Sequence, residues 1–139
     1  MRGKVIDKEP AMAIIRTWCD YFMEPLDDET IENSSTLKAV MAGRVELNED
    51  DETFKLTLRK AVKLENGESI TTVTVKDPGS AHVYNRQKMH VKGKSQTAEM
   101  EVGDRAMIHT AATGQPLGVL QRMSNHDNVV LDELLGFFR

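Results

Sequence analysis

TTVTVKDPGS, residues 71–80, changes character at its midpoint. Residues 71–75 are an unbroken β-branched run, crowded in a helix and well suited to a pleated strand. Residues 76–80 cannot extend that strand. Pro78 has no N–H for a ladder, and it drives Asp77 toward extended geometry. Residues 81–89 then regain a weak helical spacing through Ala81, Val83, Tyr84 and Met89. Strand, charged stop, proline and helix in that order form a sheet-to-helix corner that any α+β fold can use.

Upstream of this corner the period is two. Phe54, Leu56 and Leu58 alternate with Lys55, Thr57 and Arg59, and a short strand at 45–47 precedes the acidic run 48–52. Asn66-Gly67 is a strong hairpin signal, because a type I′ turn needs positive φ at both central positions. With those two residues as the turn, Leu64 faces Ser69, Val62 faces Thr71 and Leu58 faces Val75. Phe54, Leu56, Leu58, Val62 and Val75 then share one face, and Lys60 opposite Val73 is the single discordant pair.

Residues 9–23 carry Ala11, Ile14, Ile15, Trp18, Cys19 and Phe22 at helical spacing, with Pro10 suited to the first turn and Pro25 blocking continuation. The acids at 27–29 follow as a polar turn. A second helix is expected from Ser34 or Ser35 to Met41, closed by Gly43. Downstream, 91–96 is a polar loop, and a helix fits 97–113 with Gly114 closing it. Pro116 opens a short helix through Met123. Ser124 and Asp127 resemble a capping box for a last helix over about 125–138.

The composition is that of a soluble domain: 139 residues, 40% hydrophobic, 29% charged, net charge −4. An acidic balance disfavours nucleic acid, and the one basic cluster, Arg86, Lys88, Lys92 and Lys94, is read as solvated. Eight methionines are read as core fillers, the alternative being an adaptable binding surface. Cys19 is the only cysteine, which fits a reducing compartment and a buried structural thiol. No secretory h-region follows MRGKVIDKEP and no run reaches membrane-spanning length, so a soluble cytoplasmic protein is expected.

Catalytic and metal motifs are sparse. His82, His90, His109 and His126 lack the i, i+3 or i, i+4 spacing of paired ligands. NEDDE at 48–52 lacks the spaced ligands and central glycine of a calcium loop. ATGQPLG at 112–118 lacks the Lys-Ser/Thr of a phosphate loop. The expectation is a chain that is not an enzyme and takes no cofactor or metal.

Three pieces in order remain: Thr74-Val75-Lys76-Asp77-Pro78, then Ala112-Thr113-Gly114-Gln115-Pro116, then Asp127 through Leu134 to Phe137-Phe138. This order resembles the tail assembly chaperones of long-tailed, particularly contractile-tail, bacteriophages. Those carry a Thr-Leu-Arg-Glu-Pro strand, a Leu-Thr-Gly-Leu-Pro junction and a C-terminal Asp…Leu…Phe-Phe. The resemblance spans about residues 53–139, with Lys76-Asp77 for Arg-Glu, Gln115 for Leu, and an added helical N-terminal segment. It implies a non-enzymatic assembly factor whose partners are the tape-measure protein and tail-tube protein, with a homo-oligomer as a further option. The alternatives are a virion structural component, such as a tube or connector subunit, and a small enzyme whose site forms only in the fold.

The expected architecture is one α+β domain: a helical N-terminal pair (1–44), a small antiparallel hairpin or sheet (45–77) and a C-terminal helical subdomain (78–139). Its structural breaks are Asn66-Gly67, Asp77-Pro78, Gly114 and Pro116. Val130, Leu131, Leu134, Leu135, Phe137 and Phe138 form two apolar rows, more than one core stripe requires. One of those rows is expected to be offered to a partner.

Overall fold

Met23 closes the first helix in the left-handed conformation, at φ 56°, where glycine is the usual residue. The computed structural model describes residues 5–78 and 107–138. The helix expected at 81–89, the loop at 91–96, the start of the helix expected over 97–113, His82, His90 and the basic cluster lie outside the described residues. The helix that Met23 ends, α1 (Lys8–Phe22), buries Ala11, Met12, Ile15 and Trp18, with Cys19 and Phe22 partly covered. Ile14 is not on that stripe, as its spacing had implied, but flanks it in solvent. The N–H of Glu24 donates to the Cys19 carbonyl at 3.0 Å, so the helix closes with satisfied carbonyls although the residue at the bend is methionine.

The acids expected as a polar turn instead start a helix, α2 (Asp28–Glu32). The Asp27 carboxylate accepts the N–H of Thr30 at 2.8 Å, the helix-starting role typical of Asp, and Ile31 is buried below. The expected N-terminal pair is therefore a trio. Its third member, α3 (Ser35–Met41), is capped by the Ser34 hydroxyl, which accepts from the N–H of Leu37 at 3.1 Å, and it ends on Gly43 at φ 72°.

Three strands follow as an antiparallel meander in the order β1 (Val45–Asn48), β2 (Thr53–Lys63), β3 (Ser69–Val75). Phe54, Leu56, Leu58, Val62, Val73 and Val75 are buried on one face, while Glu46, Lys55 and Thr74 stand in solvent on the other. That is the division of an antiparallel sheet covered on one side only.

The expected β2–β3 pairing differs in two ways. The turn is a three-residue loop, 65–67, and not the type I′ pair. The N–H of Gly67 donates to the Leu64 carbonyl at 3.1 Å, that of Leu64 donates to the Glu68 carbonyl at 2.8 Å, and only Gly67 has positive φ, at 88°. This is a type I turn followed by a glycine bulge, a combination that Asn-Gly serves equally well. Lys63 therefore pairs with Ser69 and Val62 with Ile70. Further along, Thr57 pairs with Thr72, Leu56 with Val73 and Phe54 with Val75. Residues 58–61 thus lie against Thr71 alone, four residues of β2 against one of β3. The discordant Lys60 is absorbed in this bulge.

β3 stops at Val75, and the N–H of Lys76 donates to the Ala112 carbonyl at 2.9 Å. Residues 107–113 are helical (α4), Gly114 follows at φ 68°, and Pro116 precedes α5 (Leu117–Arg122). The last helix, α6 (Asn125–Leu135), contacts α3, β2 and β3 and runs into a 3-10 turn at Gly136–Phe138. Its Ser124 hydroxyl accepts the N–H of Asp127 at 3.2 Å, as the capping pattern implied.

One apolar cluster joins the helical trio, the sheet and the C-terminal helices. At its centre Trp18 meets Phe54 edge-on at 5.1 Å and Phe137 at 6.0 Å, while Phe22 meets Phe138 at 5.3 Å. Edge-to-face rings at these spacings add about 0.5–1.5 kcal/mol per pair beyond the area they bury.

Candidate functional site

The C-terminal helix was expected to hold the interaction surface, and its apolar rows are both spent on the core. Val130, Leu131 and Leu134 are fully buried, and Leu135 and Phe137 nearly so; only Phe138 is partly exposed. The expectation that one row faces a partner is corrected for this fold. The helix packs against α3 as well as β2 and β3, so it has more than one surface to fill.

Its polar side chains are the informative ones, because two of them reach elements far away in sequence. Glu133 lies against the start of α3. Its Oε1 accepts the N–H of Thr36 at 2.8 Å and the Thr36 hydroxyl at 2.7 Å, and its Oε2 accepts the N–H of Ser35 at 3.3 Å. These are helix N–H groups with no intrahelical partner, so a carboxylate there supplies hydrogen bonds and a favourable charge at once.

Asp127 does the corresponding work for the bulge of β2. Four residues facing one leave backbone amides without ladder partners, which is costly where water is excluded. The Asp127 carboxylate, 0% exposed, accepts the N–H of Arg59 at 2.9 Å on Oδ1 and that of Lys60 at 3.3 Å on Oδ2. Oδ1 also receives the Arg44 guanidinium at 3.3 Å, and Oδ2 the Ser124 hydroxyl at 2.9 Å. The buried carboxylate is therefore satisfied on both oxygens.

His126 completes this cluster. Nη2 of Arg44 lies 2.7 Å from His126 Nε2. A guanidinium only donates, so Nε2 must be the acceptor and the ring neutral, with its proton on Nδ1. Burial holds the imidazole below its ordinary range, and the charges of Arg44, Arg59 and Lys38 act in the same direction against the opposing pull of Asp127. Serine, histidine and aspartate thus occur within four residues, yet the hydroxyl bonds the carboxylate and the imidazole faces arginine. That is not the order in which a hydroxyl is activated as a nucleophile.

The other polar groups sit apart. His109 Nε2 lies 3.2 Å from the Asp132 carboxylate, linking α4 to α6, and the Thr113 hydroxyl donates to the His109 carbonyl at 2.7 Å. Cys19 is half-buried, and desolvation raises its thiol above the usual range, so it is a poor nucleophile. The acids of 49–52 form the β1–β2 turn and border an open concavity of about 670 Å³, lined by Glu46, Asn48, Asp51, Lys55, Thr72 and Thr74. Among the described residues, no group of His, Cys, Asp and Glu is arranged to hold a metal, and no helix is long and apolar enough to cross a membrane.

The structural breaks read from sequence fall at element boundaries: Asn66 and Gly67 in the hairpin loop, Asp77 and Pro78 after β3, Gly114 and Pro116 between α4 and α5. What sequence reasoning missed is the long-range work of Asp127, Glu133 and Arg44. The misfit of Lys60 against Val73 was the only local sign of it. No protein-family model, curated protein or solved structure matches the chain.

Proposed function

We propose that this protein is a non-catalytic tail assembly chaperone, acting in the bacterial cytoplasm by binding a helical tape-measure protein and tail-tube subunits. The observation that carries this is the 2.9 Å bond from the Lys76 N–H to the Ala112 carbonyl. It ties the strand-stop motif to the Gly114-Pro116 joint, while the Phe137-Phe138 end closes on the same core. The three pieces behind the family resemblance thus belong to one packing unit.

With both rows of α6 buried, the client surface is assigned to the outer side of α1. Ile14 and Tyr21, seven residues apart on one helical face, are each 39% exposed, and Met23 just beyond them is 87% exposed. Such a row suits a helix laid alongside. The tagged chain, purified from phage-producing cells, should retain a long helical protein identified by mass spectrometry. Ile14→Ser with Met23→Ser should reduce that retention with the melting temperature nearly unchanged. Stoichiometric recovery of the chain in finished particles would overturn the assignment in favour of a structural component.

A further inference from the structure

We propose that the Arg44–His126 contact is an acid-released latch: protonation of His126 frees the first turn of α6 from the arch of residues 58–61, while the rest of the domain stays folded. The Asp127 carboxylate holds the Arg59 and Lys60 N–H groups of that arch, and Arg44 is the cation buried with it. Arg44 is 5% exposed and Asp127 0%, so the pair sits where water cannot stand in for either partner. His126 precedes Asp127 on the same turn and is only half-buried, open enough to take up a proton.

The neutral imidazole accepts the guanidinium at Nε2, 2.7 Å away. A second ring proton sets N–H against N–H at that distance and two positive charges side by side, so the bond becomes a repulsion. Arg44 has little room to withdraw. Its N–H donates to the Ala39 carbonyl at 2.9 Å and its carbonyl accepts the N–H of Thr57 at 2.7 Å, which pins its backbone between α3 and β2. What yields is the other side, the α6 turn that carries both His126 and Asp127, and the carboxylate leaves the arch with it. Further along the helix Val130, Leu131 and Leu134 are fully buried and Glu133 bonds α3, so the opening stops there. The charged groups acting on the ring are Arg44, Arg59 on β2, Lys38 on α3 and, with opposite sign, Asp127 on α6 itself. Burial first and then Arg44 oppose proton uptake, so the ring charges below its ordinary 6.5. The released form, free of both, gains on the latched one as pH falls below that value.

The latch is independent of the chaperone assignment. The test is amide hydrogen exchange of the intact protein, followed by NMR between pH 7 and 5, with each rate divided by that of an unstructured peptide at the same pH. Protection of the Arg59 and Lys60 amides should fall as the His126 ring takes up its proton, by at most about tenfold per pH unit, the limit for a single proton. The N–H of Thr36, held by Glu133 on the α3 side of the same helix, should keep its protection. This comparison uses the parent protein alone. His126→Gln retains an acceptor oxygen for Arg44 and has no proton to gain, so in that variant both arch amides should stay protected throughout. Constant protection of the arch in the parent would overturn the proposal. So would an equal loss at Thr36, which means global opening, or a loss that persists in His126→Gln, which assigns the effect to a carboxylate.

Discussion

Arg59 donates its backbone N–H to the carboxylate of Asp127 at 2.9 Å, across 68 residues of chain. The bond joins the middle of the longest strand to the first turn of the last helix. Because Asp127 also meets Arg44, Lys60 and Ser124, one buried side chain holds three parts of the fold in register. Its removal is the most direct test of the architecture. Asp127→Ala should cost about 3–5 kcal/mol, the range for breaking a buried ion pair, read from urea unfolding. A loss under 1 kcal/mol would mean the bulge does not depend on it.

Phe137 and Phe138 are adjacent in sequence and unequal in burial, Phe137 being enclosed and Phe138 partly exposed. Phe137→Ala should cost about 3–5 kcal/mol, and Phe138→Ala clearly less. Equal losses from the two variants would place both rings in the same environment and contradict the packing around Trp18.

Acid should loosen the α6 end of the molecule first. His126 is held neutral in the fold, below its ordinary value of 6.5, by burial and then by Arg44. A depressed folded-state value means the contribution is complete above about 6.5 and is lost as pH falls below it. Melting temperature should therefore decline between pH 7 and 5, and His126→Gln should flatten that decline. Carboxylates such as Asp27, lowered further by its bonds with Thr30, act only at more acid pH. A parent protein with no slope in this window would remove His126 from the stability of the fold.

Gly67 has φ 88° and no atom within 4 Å of where a Cβ would stand, so the cost of a side chain there is backbone strain alone. Gly67→Val should destabilise by about 1–2 kcal/mol. Asn66 is not in the left-handed region, so Asn66→Asp should be nearly neutral. Unchanged stability of the Gly67→Val variant would remove the strain assigned to that position.

The hairpin, the α+β class and the closing positions of α3 and α4 were legible because they depend on local chemistry: Asn-Gly, β-branched runs, and glycine beyond a helix. The turn type was not, since type I with a glycine bulge and type I′ accept the same dipeptide. The register was lost at the same point, and the bulge went unseen because the carboxylate that holds it lies 68 residues away. The two apolar rows of α6 were read correctly as surplus to a single stripe. A sequence cannot tell whether the second row meets a partner or, as here, is buried within its own domain.

The arch at residues 58–61 also has a consequence for chain length. The sheet has one register on the loop side of it and another on the β1 side, and neither half transmits its alignment to the other. Removing Ala61, an exposed arch residue, should shorten the arch and leave both alignments in place, as a shim is thinned without moving the parts it separates. Removing Lys55 instead should turn Phe54 or Leu56 out of the core, because side chains alternate strictly there. Loss of a residue at Ala61, which neither enters the core as Leu58 does nor bonds Asp127 as Arg59 and Lys60 do, is thus tolerated in a way that the rest of the strand forbids.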